Sequence, residues 1–522
     1  MGAVSTEALP QAGDESTRRL REALRAARFT ADGLLDLLGA PAYAALARGE
    51  TVPALRATRG EGPLPLLVRL FLLQQPVPYA RVSEVLPAEE ALADGWLERV
   101  PQADEVRATV DVRPYSGPAE QDWWIVSDLG CAVGGAGGIG SAGSGGPGAG
   151  RAPAEGAVLG VGGASTTLAG ITVRDPVGRV LDLGTGSGIQ ALHAATHASH
   201  VTATDVNPRA LRFARLTLAL SGVPEPELRE GSLFDPVAGS EPYDLIVSNP
   251  PFVISPGARL TYRDAGMTGD ELCRTLVRRS VDHLAPGGWC QMLANWEHRD
   301  GEDWRERVSS WVPRGCDAWI VQREVQDVAQ YAELWLRDAG DHRGDPADYA
   351  ARYDAWLAEF EARGTKAVGF GWITLRRTEA EHEAVLAEEW PHPVEQPLGE
   401  VVREHFARQD FLRRTGDAAL LEHRFTLADE VVQEQVGMPG AEDPEYVVLR
   451  QNRGMRRATT VDTVGAGFAG VCDGTMTAGR ILDAIGQLLG EDPARLRERT
   501  PAAIRMLVEQ GFLEPVEGPA GA

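Results

Sequence analysis

Apolar positions follow two different periods along the chain. From Glu15 to about Gly49 they recur at mixed three- and four-residue spacing, through Leu20, Leu24, Ala27, Leu34, Leu35, Leu37 and Leu38. That period predicts helix with one buried face. LPLLVRLFLL, from Leu64, is apolar on almost every side and reads as a buried helix. VPYARVSEVLP and AEEALADGWLERV follow. VRATVDVRPY and WWIVSDL, rich in β-branched and aromatic residues, then read as two strands. Helices followed by a strand pair predict a small winged-helix-like unit. Recognition of nucleic acid or peptide is one reading of it. Docking onto the next domain is the favoured one, since a fold alone does not give a function.

From Ala157 short apolar runs alternate with helical stretches. RVLDLGTGSGIQALHAA, HVTATDVNPRALRFARLTLALSG, ELREGSLFD and YDLIVSNPPF each open on a strand. ELCRTLVRRSVDHLAPGG reads as a helix stopped at Pro286-Gly287-Gly288. GWCQMLANW, CDAWIVQREV and AVGFGWITLRR are further strands, and DWRERVSSWV is a helix. Such alternation predicts an α/β fold, a mostly parallel sheet with helices on both faces. An insertion at 327–365, rich in Tyr, Trp and acid, reads as helical and sits where it would cover a site. After about Thr378 the chain is charged and mixed. From Val461 it reads as strand, three helices and a short strand.

Composition places the boundaries. Close to half of Gly130–Gly156 is glycine, which predicts a flexible linker. Its GxGxxG-like spacings lack the strand and helix that an anion site needs. The expected layout is an N-terminal helical or winged-helix-like domain over 1–129 and a linker over 130–156. An α/β domain over 157–378 and a mixed, winged-helix-like domain over 379–522 follow. Net charge is −24, which argues against broad electrostatic binding to nucleic acid or anionic membrane. The one conspicuously basic run, LRQNRGMRRATT, reads as a solvated loop paired with the chain's own acids. Lys366 is the only lysine, a bias of GC-rich, bacterial coding. The five scattered cysteines lack metal-ligand spacing and read as reduced thiols of a cytoplasmic protein. No apolar run is long enough to span a bilayer. MGAVST fits a loose myristoylation pattern of the kind that arises by chance. Nothing fixes an oligomeric state.

Four chemical elements stand at the carboxyl ends of successive expected strands, the edge where open parallel sheets bind ligands. The first is Gly184, Gly186 and Gly188, with Asp182 before them and Thr185 between. Glycine lets the backbone turn tightly and approach a ligand. The spacing GTGSG differs from the GxGxxG of dinucleotide sites and favours a nucleoside amino acid over a pyrophosphate. Asp205, followed by Val206, is placed to accept both hydroxyls of a ribose. GSLF puts Ser232, Leu233 and Phe234 where an adenine would be flanked. SNPPF ends the fourth strand on Asn249, Pro250, Pro251 and Phe252, because neither proline can donate to a ladder. His193 and His197 have metal-like spacing but no third ligand. Cys273 and Cys290 have no adjacent base and read as core.

With these motifs, residues 157–378 resemble class I S-adenosylmethionine-dependent methyltransferases. DLGTGSG, ATD and SNPPF are similar to the amino-methyltransferase branch, which includes release-factor glutamine, ribosomal-RNA guanine-N2 and adenine-N6 methyltransferases. The resemblance implies a Rossmann-like sheet and S-adenosylmethionine as cofactor, held by Asp182, Gly184, Thr185, Gly186, Gly188, Asp205, Val206, Ser232, Leu233 and Asn249. No metal is implied. One departure is Ser232, which stands where such enzymes often carry an acid. Asn249, Pro250, Pro251 and Phe252 would act on a planar NH2 group. The Asn249 side-chain oxygen and the Pro250 carbonyl would accept its two N–H groups, and Phe252 would stack on it. A protein or peptide amide is the favoured acceptor. An exocyclic base nitrogen of RNA or DNA fits the same slot, and a non-catalytic cofactor-binding module is the reading from another class.

Overall fold

The computed structural model describes residues 9–130, 156–256, 267–439 and 446–516. The expected linker and the MGAVST pattern therefore lie almost wholly outside the described residues. The chain divides into one unit formed by residues up to 391 without 170–174, and a second formed by 170–174 with the remainder.

The first unit is built on an eight-stranded sheet. Its strands are β1 (Val177–Leu183), β2 (Ala198–Asp205), β3 (Glu227–Glu230), β4 (Tyr243–Ser248), β5 (Leu284–Arg299), β6 (Cys316–Asp327), β7 (Thr365–Arg377) and β8 (Val385–Glu389). They lie in the order β3-β2-β1-β4-β5-β7-β6-β8. The first five are parallel, and β7 runs antiparallel between β5 and β6. β4 and the carboxyl-terminal half of β1 are almost fully buried, as parallel strands covered on both faces must be. The order reverses beside β1, and such a switch point opens a crevice at the carboxyl ends of β1 and β4.

Helices α1 (Ile189–Ala194) and α2 (Pro208–Ser221) pack on β2. Helices α3 (Glu271–Ser280) and α4 (Trp304–Ser309) share a core with Leu181, Leu183 and Ile246. Two sequence expectations are corrected here. Helix α3 ends at Ser280 rather than at Pro286-Gly287-Gly288. Leu284 already pairs with Tyr243, so the Pro-Gly-Gly run is an irregularity inside β5, before pairing resumes at Trp289. The sheet also continues past 378 into β8, parallel to β6. The insertion is a helix pair, α5 (Val328–Asp338) and α6 (Pro346–Arg363), started by the caps Asp327 and Asp345.

The helices over 14–26 and 31–47 are separated at Arg28, which takes a positive φ of 56°. The run read as one strand, VRATVDVRPY, is two: Glu105–Ala108 in a three-stranded sheet, and Asp111–Ser116 in a hairpin with Asp122–Ser127. That hairpin lies on α2. Trp124 N–H donates to Ser221 Oγ at 3.0 Å and Val126 N–H to Thr217 Oγ1 at 3.0 Å. Phe213, Leu216 and Leu220 of α2 belong to the same core as Leu24, Phe29 and Phe71. Helix α2 is thus buried on the side a lone sheet domain would expose, and Arg212 and Arg215 mark the strip that stays in solvent.

The second unit has its own core of Phe425, Phe468, Leu482, Leu507 and neighbours. It holds two three-stranded sheets, one of Val431–Val436, Tyr446–Gln451 and Ala458–Val461, the other of Arg424–Leu427, Asp473–Thr477 and Leu513–Pro515. Helix Thr463–Gly470 and helices Ala478–Leu489, Pro493–Arg499 and Pro501–Glu509 complete it, after helix Gly399–Arg414. The basic run crosses the turn after Tyr446–Gln451, where Arg450 pairs with Glu434 at 2.7 Å and Arg453 with Glu430 at 3.0 Å.

Candidate active site

The chain leaves β1 at Leu183 and turns through Gly184 and Gly186, with φ of 77° and 56°. A side chain resists that region; glycine does not. The N–H groups of Gly184 and Thr185 both donate to Thr204 O at 2.9 Å, fixing the turn to the end of β2. Gly188 opens α1 at φ 86°, and a Cβ there would sit 3.0 Å from Ala214 and Leu218 of α2. Its role is close helix packing, and it does not reach the cavity.

Asp205 ends β2. One carboxylate oxygen accepts Gly186 N–H at 2.9 Å and the other accepts Asn207 N–H at 2.9 Å. The Val206 N–H faces the same carboxylate, so three backbone donors orient it. Burial pushes its pKa up. Asp182 lies beneath the turn, fully buried, and accepts Thr185 Oγ–H at 2.6 Å. Burial pushes it up to about 7, with Asp205 adding to the rise.

A cavity of about 480 Å³ opens over these strand ends. Gly184, Thr185, Gly186, Asp205, Val206, Ser232, Leu233, Asn249, Pro250 and Pro251 line it. Of the residues expected at the site, Asp182, Gly188, Phe234 and Phe252 do not; the Phe234 ring is buried in the core and stacks on His283. Asp182 and Gly188 support the turn from behind. The Phe252 ring is half-buried against the apolar core of β1, β4 and α3, so it props the loop from within rather than facing the cavity. Leu233 holds a positive φ of 50°, a strained conformation of the kind that collects at functional sites.

Several lining residues carried no sequence signal: Val158, Leu159 and Gly160 on the wall before β1, Gln190 on α1, Asn207, Met267, Leu272 and Leu276. Both flanks of the stretch 257–266 are fixed. Upstream, Ile254 N–H donates to Tyr331 Oη at 3.0 Å, and Val253 and Ile254 pack with Tyr331, Trp356, Phe360 and Phe370. Downstream, the buried Asp270 carboxylate accepts Arg307 at 2.6 and 2.8 Å and Glu297 N–H at 2.9 Å. Tyr262, Arg263 and Asp264, which follow the motif and read equally as substrate contacts or as residues that order the loop, lie outside the described residues.

The distractors have positive structural roles. His193 Nε2 bonds Tyr115 Oη at 2.9 Å and meets the Trp123 ring edge-on, so it joins α1 to the hairpin. Cys273 and Cys290 are buried, which pushes both thiols up to about 12. Among the described residues no helix is long and apolar enough to cross a membrane.

Comparison with known proteins adds a family for part of the chain. Residues 161–303 match the methyltransferase small domain. Residues 26–109 and 403–515 match two families described as domains of unknown function, DUF7059 and DUF7782. The release factor glutamine methyltransferase of Deinococcus radiodurans is 42% identical over 124 residues, 21% of this chain and 43% of that protein. The ribosomal RNA small subunit methyltransferase C of Enterobacter sp. is 36% identical over 120 residues, 23% of this chain and 31% of that protein. The chain therefore spans less than half the length of these relatives. An rRNA methylase from Streptococcus thermophilus aligns over 41% of this chain and 95% of its own, at 17% identity and a TM-score of 0.25.

Proposed function

We propose that this chain, whose residues 161–303 match the methyltransferase small domain, is an S-adenosylmethionine-dependent N-methyltransferase acting on a planar NH2 group. One observation carries the reading: Asn249 and Pro250 line the same cavity as the glycine turn and Asp205. The cavity suits the cofactor, being of ligand size and walled by both apolar and polar groups. Asp205 lines it with a carboxylate oriented by backbone donors. Val206, Leu233, Leu272 and Leu276 supply apolar surface.

S-adenosylmethionine, when bound, supplies an electrophilic methyl group. The remaining work falls to the chain. An amide or base nitrogen is a poor nucleophile because its lone pair is delocalised. The Asn249 side-chain oxygen and the Pro250 carbonyl accept its two N–H groups, orient the lone pair and stabilise positive charge growing on nitrogen. The two prolines stiffen the corner, and Tyr331 and the Phe252 ring hold the chain behind it. Positioning of this kind supplies roughly 7–11 kcal/mol in favourable cases. No strong general base is needed.

A protein or peptide amide is the favoured acceptor. The insertion, whose α5 holds the exit of the Asn-Pro-Pro corner, carries nine Asp and Glu and four Arg between Asp327 and Thr365. Asp345, Asp348, Asp354 and Glu361 are exposed. An excess of exposed acid disfavours a phosphate backbone. The relatives named for ribosomal RNA favour the second reading, an exocyclic base nitrogen. A cytoplasmic setting goes with either. Transfer of a labelled methyl group into cell extract, followed by protease or nuclease digestion, tests both. Label released by protease supports the amide and label released by nuclease the base. No transfer under either condition removes the activity.

A further inference from the structure

We propose that Asp128, from the hairpin that packs on α2, is a positioning residue for the cofactor: it holds the Val158–Gly160 wall of the cavity in place. The proposal rests on the reading of this cavity as the cofactor site. Residues 157–162 form no helix or strand, so they lack a ladder of their own. Yet Val158, Leu159 and Gly160 line the cavity. Two side chains hold the segment. Asp128 Oδ2 accepts Val158 N–H at 2.9 Å, while Asp128 N–H donates to Val158 O at 3.1 Å. Asn207 Nδ2 donates to Gly156 O at 3.0 Å.

The same Asp128 carboxylate grips the first turn of α2. It accepts Arg209 Nε at 3.1 Å, and Arg209 Nη2 as well. The two side chains are only 17% and 21% exposed, so solvent screens the pair weakly. Two connections thus run from the cavity floor to this wall. One passes from Gly186 through Asp205 and Asn207 to Gly156. The other passes from Arg209 through Asp128 to Val158. A wall ordered beforehand spares the ligand the entropy of ordering it. Remove Asp128, and that ordering must be met at binding, which weakens affinity without touching the reacting atoms.

The test uses the full chain and S-adenosylhomocysteine as probe. Asp128→Ala is expected to raise the calorimetric Kd about ten-fold or more, equivalent to one loop segment ordered on binding, with kcat at saturating cofactor within about two-fold. Ser221→Ala removes a different hairpin contact on the same helix. It is expected to lower the melting temperature but leave Kd unchanged, which separates positioning from docking. Asp128→Asn keeps an acceptor for Val158 but loses the charge facing Arg209, and its Kd should fall between the two. Should Asp128→Ala fail to fold, hydrogen exchange at the Val158 amide of the ligand-free wild-type chain tests the same ordering: protection is expected, and exchange at the rate of an unfolded chain overturns the proposal. Wild-type Kd in Asp128→Ala also overturns it while leaving the methyltransferase reading intact. Absence of binding by the wild-type chain sinks that reading instead.

Discussion

Asn249 and Asp182 sit at the ends of adjacent strands and do different work. Asn249 lines the cavity, so on the proposed mechanism Asn249→Ala removes one acceptor for the reacting NH2 and leaves the glycine turn and Asp205 intact. Turnover is expected to fall about 10²-fold or more, with the Kd for S-adenosylhomocysteine nearly unchanged. Calorimetry beside a methyl-transfer assay checks this, and an undiminished rate refutes the role. Asp182 supports the glycine turn from behind, bonded to Thr185. Burial pushes it up to about 7, and Asp111, fully buried in the hairpin, up to about 6. Each therefore binds its proton more tightly folded than unfolded. The unfolded chain holds fewer protons between the two pKa values, so stability falls as pH rises from about 4 to about 7. Asp182→Asn carries no such titration. Its melting temperature should decline less over that interval than the wild type's; parallel pH curves would refute the raised pKa.

At the scale of elements, the insertion's helix α5 explains why the motif loop stays in place. Tyr331 Oη accepts from Ile254 N–H and from Asn295 Nδ2, each at 3.0 Å, inside an aromatic cluster. Tyr331→Phe keeps the ring and strands two buried donors, a loss of about 1–3 kcal/mol for each group left unpaired. Melting temperature and kcat should both fall while cofactor affinity holds; a lower affinity with unchanged kcat would place Tyr331 elsewhere in the mechanism. The sequence announced this insertion by its aromatic helical pattern but not its grip on Ile254, a contact made across 77 positions. The elements read best were β1, β2 and β4, whose carboxyl-terminal halves are buried beside the motifs they carry. The second unit's Val431–Val436 and the edge strand β8 are half-exposed, so polar residues dilute their pattern. Site residues were legible for a related reason: the motif positions are clustered within a few residues of strand ends. Asp128 and the Val158 wall meet through tertiary contact alone, and Phe252 was visible as a ring but not as a prop.

For the whole molecule, the decisive surface is the side of α2 that faces the N-terminal helices. Phe213, Leu216 and Leu220 are almost fully buried there, in a core shared with Leu20, Leu24, Phe29 and Phe71. Full burial of each such side chain stabilises by about 1.5–3 kcal/mol, so these three together approach the whole stability of an ordinary domain, roughly 5–15 kcal/mol. The N-terminal region is on this account part of the catalytic unit's core rather than a separable module, and His193 and Asp128 tie it to α1 and to the cavity wall as well. A chain beginning at Gly156 would expose that apolar stripe and lose the Asp128 contacts at once. It is expected to aggregate or to melt without a cooperative transition, and to bind S-adenosylhomocysteine weakly if at all. Sedimentation, thermal denaturation and calorimetry on the truncated chain check each part. A monomeric, cooperatively folded fragment with full affinity would show that the α/β sheet closes its core unaided, and that the contacts along α2 serve something other than stability.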